Sequence, residues 1–419
     1  VVIGGGQAGL SISYGLKQRG VDHVVLERHR VGHEWRARRW DSFCLVTPNW
    51  QCRLPGFPYA GPEPHGFMLK DAIVDYLEEY ARSFDPPLIE GVSASALRPH
   101  PGGGFDLSTS LGDCHADQVV VATGGYHVPV IPRVAERLPD GLTQIHSAEY
   151  RNPASLPDGA TLVIGTGQSG CQIAEDLHIA GRRVHLCVGS APRTARRYRG
   201  RDVVEWLDQM GYYTLPVSEH PLKERVRAKA NHYVTGRDGG RDIDLRQRAR
   251  EGMQLHGRLT GVRGDRIELA DDLKQNLDQA DAVAESIKNS IDKFIAERGV
   301  DAPTEPRYTP VWEPESITRS LETARAGITS VVWCTGFRAD YGWIEVPIFD
   351  GRGYPVHQRG VTAAEGLYFL GLPWQHTWGS GRFSGVGIDA TYLADRIQRR
   401  LGAPLPARQA ALNELALGS

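Results

Sequence analysis

The sequence has no long apolar run, no charge imbalance and no cysteine pairing pattern. Nowhere in its 419 residues is there a stretch close to the roughly 20 consecutive apolar side chains that span a bilayer, so no membrane segment is expected. The 48 basic and 50 acidic side chains leave a formal net charge of −2, which gives no electrostatic reason to expect a nucleic-acid or membrane partner. The six cysteines form no Cys-x-x-Cys pair, and none lies near a histidine at zinc-ligand spacing. They read as buried thiols of a reducing compartment, which argues against disulfide scaffolds and zinc sites and places the protein in the cytoplasm with no metal. Val1-Val2-Ile3 runs straight into a glycine loop, so no secretory leader is expected, and the missing initiator Met puts the natural start a few residues upstream.

What the sequence does have is glycine in two telling places. Gly4-Gly5-Gly6-Gln7-Ala8-Gly9 follows the apolar strand 1–3 and precedes helical sequence over 10–19. Strand 23–27 then ends in Glu27. In such a unit the first glycine permits a tight turn, the second lets backbone approach a pyrophosphate, and the third lets helix pack on strand. The N–H groups at the helix start face the phosphates, and a carboxylate placed as Glu27 is can accept both hydrogens of a ribose diol. A lone glycine pattern is weak; strand, loop, helix, strand and terminal acid in order are strong.

Gly165-Thr166-Gly167-Gln168-Ser169-Gly170 repeats the pattern between strand 161–164, helix 171–180 and strand 183–188. Here no acid ends the following strand; Cys187 and Val188 stand there, and Ser190 and Arg193 follow, with Arg196, Arg197 and Arg199 beyond. A 2′-phosphate is repelled by a carboxylate and held by guanidinium and hydroxyl, so the second site should prefer NADPH over NADH. The competing reading of these arginines is a solvated basic loop. Elsewhere, 71–84 has helical periodicity, 118–122 is an apolar strand ending in Thr123-Gly124-Gly125, and 330–335 and 366–370 are further strands. Helical sequence covers 384–400, and the last residues, rich in Ala, Leu and Pro, should be peripheral.

The expected fold class is therefore α/β, with two Rossmann-like dinucleotide-binding domains in the manner of a glutathione-reductase-like two-domain flavoprotein. Residues 1–150 and 331–419 form the first domain and 151–330 the second, with a charged helical insertion at about 198–310. Within the insertion, 271–298 reads as one long helix with Leu273, Leu277, Ile287, Ile291 and Phe294 as apolar contacts. Two dinucleotide folds in one chain suggest electron traffic between a fixed and an exchangeable cofactor.

At several further places the chain resembles the class B flavoprotein monooxygenases, the family of the flavin-containing, N-hydroxylating and Baeyer–Villiger enzymes. Trp35-Arg36, Trp40-Asp41-Ser42 and the stretch 45–49, with Leu54-Pro55-Gly56, resemble the segment that borders the flavin. Ala122-Thr123-Gly124 with Pro129 and Pro132, and Trp333-Cys334-Thr335-Gly336-Phe337, are similar to the family's two crossovers. Gly366-Leu367-Tyr368-Phe369-Leu370-Gly371 resembles the strand leading to the last flavin contacts. Of the family fingerprint before the second glycine loop, His146-Ser147-Ala148-Glu149-Tyr150 matches the last half, while Asp140 and Leu142 depart from the first. Tyr150 in place of a Trp leans toward the heteroatom-oxidising or plant-auxin-type branch.

The resemblance implies FAD on Gly4, Gly6, Gln7, Ala8 and Gly9, with Glu27 and Arg28 at the ribose and Val92 near the adenine. It implies further flavin contacts from Trp35, Arg36, Thr47, Asn49, Thr123 and Gly124. NADPH would lie on Gly165, Gly167, Gln168, Ser169 and Gly170, with Ser190, Arg193 and Gly336. The reaction implied is oxygenation of a small metabolite through a flavin C4a-(hydro)peroxide, on nitrogen or on an α-keto-acid-type substrate, with O₂ as co-substrate. Asn49, His146 and His376 are the candidate catalytic side chains, and His146 reads equally as a structural histidine. The expected partners are the small-molecule substrate and O₂ alone, with room for a homo-oligomer. Two motifs stay open between readings. The run 235–246, rich in Gly, Arg and Asp, is a substrate lid or an ion-paired domain junction; the loop 374–381 is a pocket wall or a packed aromatic turn. A flavin dehydrogenase or oxidase on the same fold, and a non-catalytic FAD-binding protein, are the alternative functions.

Overall fold

A computed structural model describes residues 1–402; the Ala-, Leu- and Pro-rich tail falls outside the described residues. Strand Val2–Ile3 (β1) ends at Gly4, whose φ of +107° suits glycine and where an added Cβ would lie 2.6 Å from the Ala122 carbonyl oxygen. Helix Gln7–Lys17 (α1) follows, and Val25–Glu27 (β2) returns parallel to β1 with Val2 opposite Val25. Helix Lys70–Phe84 (α2) buries Ile73, Leu77 and Tyr80, as its spacing predicts. Leu88–Glu90 (β3) adds beyond β2, and the wholly apolar Val119–Val121 (β4) pairs with the other side of β1. An antiparallel ribbon of Ala94–Pro99, Phe105–Thr109 and Gly112–Ala116 is inserted between β3 and β4.

The chain then crosses to a second sheet, made of Thr143–His146 (β5), Ala160–Ile164 (β6), Val184–Cys187 (β7), Gln254–His256 (β8) and Ile328–Trp333 (β9). Its order is β5-β9-β6-β7-β8, with every pairing parallel. Helix Gln168–Ile179 (α3) makes the crossover between β6 and β7. The 26-residue helix Leu273–Arg298 (α4) buries Leu277 and Ala280 against this sheet, and Ile291 and Ile295 against Trp206 and Tyr198. Leu273, Ile287 and Phe294 are only partly buried.

The return passes Phe337–Arg338, which pairs antiparallel with Val128–Pro129, so the outgoing and incoming crossovers hydrogen-bond to each other. His357–Gln358 (β10), Val361–Thr362 (β11) and Leu367–Phe369 (β12) complete the first sheet in the order β10-β11-β12-β4-β1-β2-β3. Helix Val386–Leu401 (α5) buries Val386, Ala390, Leu393, Ala394 and Ile397, one face at helical spacing. It packs close to α1: a Cβ on Gly15 would lie 3.2 Å from that of Ala394. Each large apolar side chain so buried contributes about 1.5–3 kcal/mol.

The structure moves three expectations. β5 and β9 both belong to the second sheet, so the domain boundaries lie at the paired crossovers 128–129 and 337–338 rather than at 150 and 331. The insertion at 198–310 is not purely helical, since it supplies β8, the edge of the second sheet, and the hairpin Leu259–Arg263 with Arg266–Leu269. Cys114 is exposed on the ribbon, not buried, because strand Gly112–Ala116 is an edge with one face in solvent.

Neighbouring β7 and β8 place two imidazoles in contact, His185 Nδ1 and His256 Nε2 lying 3.0 Å apart with the rings stacked. Burial pushes both down from 6.5 to about 4. A histidine depressed in the folded state favours folding fully above its unfolded pKa and ceases to do so as pH falls through its folded one. The thermal midpoint should therefore be flat above about pH 6.5 and fall between there and about pH 4. In a His256→Gln variant the fall should be shallower; an unchanged slope would show that the pair does not carry the acid sensitivity.

Candidate functional site

The two glycine loops have the same geometry. A Cβ on Gly9 would lie 1.8 Å from the Gly4 oxygen, and one on Gly170 would lie 1.9 Å from the Gly165 oxygen. Gly165, with φ of +101°, presses its α-carbon toward the Cys334 carbonyl as Gly4 does toward Ala122. In each loop the middle glycine, Gly6 or Gly167, faces open space. Both serve as helix N-caps without a side-chain cap, so the first-turn N–H groups of α1 and α3 are left for an anion.

Around the first loop the donors and acceptors fit a dinucleotide. Glu27 accepts from the Gly5 and His29 backbone N–H groups at 2.7 and 2.8 Å, which fixes its carboxylate beside the loop with lone pairs to spare. Val92 is buried next to it, its N–H donating to the Glu27 carbonyl. Gly124 and Gly125 face open space across the loop, and the buried Thr123 hydroxyl has no partner among the described residues. Gln7 reaches the Gly381 carbonyl and Ala8 is packed under Gly371, so the loop 374–381 closes over the start of α1. Arg28 is exposed, Thr47 half-buried, and Trp35 stacks on Phe383 at 5.6 Å. Arg36 instead pairs with Glu78 at 2.6 Å.

Around the second loop Gln168 donates to the Val234 carbonyl at 2.5 Å, Ser169 is half-buried, and Ser190 and Gly336 are exposed at the sheet's carboxyl edge. Arg193 is not available for a phosphate. It is 4% exposed, pairs with Asp281 at 2.5 Å and lies 4.1 Å over the Tyr308 ring, because α4 brings Asp281 up against it.

The expected catalytic side chains come out differently. Asn49 is buried with its carboxamide spent at both ends, donating to the Glu63 carbonyl and accepting from the Met68 N–H, so it clamps the loop 49–68. His146 is fully buried; Nδ1 accepts from the Ala148 N–H, Nε2 donates to the Gly336 carbonyl, and the ring packs on Phe337. Burial lowers its pKa, and it acts as a neutral pin between the crossovers. His376 is half-buried beside the Arg359–Asp389 pair, its pKa lowered first by burial and then by Arg359.

Sequence reasoning missed Gln51. It is 1% exposed and neither end of its carboxamide has a hydrogen-bond partner among the described residues. A buried amide so placed costs on the order of 1–3 kcal/mol unless a ligand supplies the partners. It sits on the same turn as Asn49, Asn49–Gln51, and no spacing rule marks one of the two over the other. Also unforeseen is an exposed His100, Asp106 and His115 group whose ligand atoms lie within 4.8 Å of one another, since it forms across strands of the ribbon.

The run 235–246 is an ion-paired junction. Asp176 on α3 accepts from Ser42 Oγ at 2.6 Å, Tyr150 Oη at 2.7 Å and Arg237 at 2.8 Å, and Glu175 beside it takes Arg241 and Arg248. The loop 374–381 is a packed aromatic turn: Trp374 is buried against His220, and Trp378 lies 4.4 Å from Tyr213.

Residues 1–235 match the pyridine nucleotide-disulphide oxidoreductase family. The CzcO-like oxidoreductase of Geobacillus kaustophilus is 33% identical over 401 residues, covering 95% of this chain and 97% of that one. Indole-3-pyruvate monooxygenase YUCCA6 of Arabidopsis thaliana is 30% identical over 201 residues, 46% of this chain and 48% of its own. Among solved structures, the flavin-containing monooxygenase of Stenotrophomonas maltophilia superposes with a TM-score of 0.64 at 20% identity, covering 96% of this chain and 98% of that one.

The Asp176 junction is testable without any ligand. Asp176→Ala removes the acceptor from three donors and leaves Arg237 unpaired, and should cost about 3–5 kcal/mol of unfolding free energy in urea. A loss below about 1 kcal/mol would mean that the three contacts reach water as readily as the carboxylate.

Proposed function

The chain belongs to the pyridine nucleotide-disulphide oxidoreductase family, and from that premise we propose that it is an FAD- and NADPH-dependent monooxygenase of a small metabolite. The observation that carries the reading is the twin loop: two clefts of the same shape, each with an open middle glycine over an uncapped helix start. One chain with two such sites has places for a resident flavin and for a nicotinamide that reduces it. Gly4, Gly6 and Gly9 would receive the FAD diphosphate, and Glu27 its ribose. The unsatisfied Gln51 amide and Thr123 hydroxyl are partners waiting for a polar ring or chain. Gly165, Gly167 and Gly170 would receive NADPH. With Arg193 held by Asp281, preference for the 2′-phosphate rests on Ser190 and on the lack of an acid at the end of β7.

Bound flavin supplies redox and oxygen chemistry that no side chain provides. The chain's share is placement and exclusion of water: His146 and the crossover ribbon fix the two clefts relative to each other, and the loop 374–381 covers the start of α1. Substrates of two kinds suit this reading, a heteroatom-bearing metabolite and an α-keto acid of the sort named for the YUCCA6 relative.

The test is isotopic. The purified yellow protein is reduced with NADPH or NADH without oxygen, then given ¹⁸O₂ with panels of amines and α-keto acids. Label in an organic product supports oxygenation, and all oxygen recovered as peroxide with every substrate would establish the oxidase alternative. Gly170→Ala, with its 1.9 Å clash, should keep its flavin yet weaken NADPH more than tenfold, about 1.4 kcal/mol or more. Loss of flavin instead would show that the second loop does not serve the exchangeable dinucleotide.

A further inference from the structure

Away from the two clefts, the antiparallel ribbon gathers ligand-type side chains on its solvent face. Strand Phe105–Thr109 pairs with Gly112–Ala116 so that Asp106 stands opposite His115. The pleat puts both on the face away from the buried Phe105 and Leu107. His100 opens the turn between the first two strands, and its ring centroid lies 4.7 Å from that of His115 with the planes at 69°. Each of the three offers one ligand atom within 4.8 Å of the other two, and all three residues are exposed. Two imidazoles and a carboxylate are a donor set for zinc and its transition-metal neighbours. Magnesium and calcium take oxygen ligands throughout.

The distances suit such an ion. Ligand atoms at about 2.0–2.2 Å around a tetrahedral centre lie about 3.4 Å from one another. His115 Nδ1 already stands 3.4 Å from Asp106 Oδ1. With Nδ1 on a metal, the ring proton belongs on Nε2, which faces Asp117 Oδ1 at 4.0 Å. A carboxylate in that place orients a ligating imidazole from behind. His100 Nδ1 accepts from the Gly102 N–H at 3.0 Å. That turn is exposed, so water takes over the donor when the ring swings to the ion. Arg98, which faces Asp106 across the ribbon, is held by both oxygens of Glu345 at 2.6 and 2.9 Å and so opposes a second cation little. We propose that His100, Asp106 and His115 bind one divalent transition-metal ion of the zinc type, with water completing its shell. The ion closes the turn 100–104 onto the two outer strands of the ribbon. The site is independent of the monooxygenase reading above.

The experiment uses the purified full chain, free of any histidine tag and stripped with EDTA, in calorimetric titrations with Zn²⁺ and with Mg²⁺. One Zn²⁺ should bind per chain, and His100→Asn and His115→Asn should each weaken it at least about tenfold. Mg²⁺ should give no saturable heat. Cys114→Ser is the control: its side chain alternates to the face of Leu107, so zinc affinity should not change. A thermal midpoint in EDTA equal to that of the unmodified protein shows that each variant folds. A chain that takes up no Zn²⁺, or one whose affinity survives both histidine substitutions, overturns the proposal. Loss of affinity in Cys114→Ser overturns it too, since the ligand set would then include the thiol. Hydrogen exchange reads the site without any variant. Amides of 100–116 should exchange more slowly with Zn²⁺ and not with Mg²⁺, and a ribbon indifferent to zinc overturns the proposal even where a variant fails to fold.

Discussion

Asp176 is where this fold is held together. It lies on α3, the helix whose opposite end offers its N–H groups to the second glycine loop, and it is 5% exposed. Its oxygens gather Ser42 from the first domain, Tyr150 from the segment after β5 and Arg237 from the inserted segment. One carboxylate thus fixes three chain segments to one helix. Glu175, its neighbour, does the same for Arg241 and Arg248. Buried acids are tolerable only with such partners, and here the partners come from parts of the chain that must not drift apart if two dinucleotides are to meet.

The twin loops set the second constraint. Each needs a glycine where the backbone of a crossover strand approaches within contact, Ala122 against Gly4 and Cys334 against Gly165. Those contacting carbonyls belong to the ends of β4 and β9, the strands that begin the two crossovers. The ribbon joining 128–129 to 337–338, and His146 pinned to Gly336, therefore tie the position of one loop to that of the other. Exchange of electrons between sites demands such a fixed separation, and these backbone contacts help to set it.

What the sequence disclosed follows from which interactions are local. Glycine spacing, strand ends and helix faces are read along the chain, and both βαβ units, α2, α4 and α5 appear within a few residues of where periodicity puts them. The resemblance to class B flavoprotein monooxygenases holds over the fold. What was not legible is pairing between distant residues. β5 and β9 are strands in any reading, but their shared sheet depends on a parallel pairing across more than 180 positions, Thr143 opposite Ser330. The insertion read as helical because β8, only three residues long, carries too little pattern to announce itself as a sheet edge. Asn49 is a candidate by resemblance and His146 reads as either catalytic or structural, while the backbone groups that occupy them lie at Glu63, Met68, Ala148 and Gly336.

The arginines make the same point in electrostatic terms. In the sequence, Arg193, following a dinucleotide unit, looks like a phosphate ligand. Its environment reverses this. Arg193 meets Asp281 because a helix eighty-eight positions away lays an acid beside it, so its charge is already neutralised. Arg151 instead donates only to the Ala37, Ala148 and Tyr150 carbonyls, which orient a guanidinium without cancelling its charge. A cation acts on a ligand only to the extent that the protein leaves its field uncompensated. By that measure Arg193, Arg196 and Arg199, each facing an aspartate, hold little charge in reserve for a ligand.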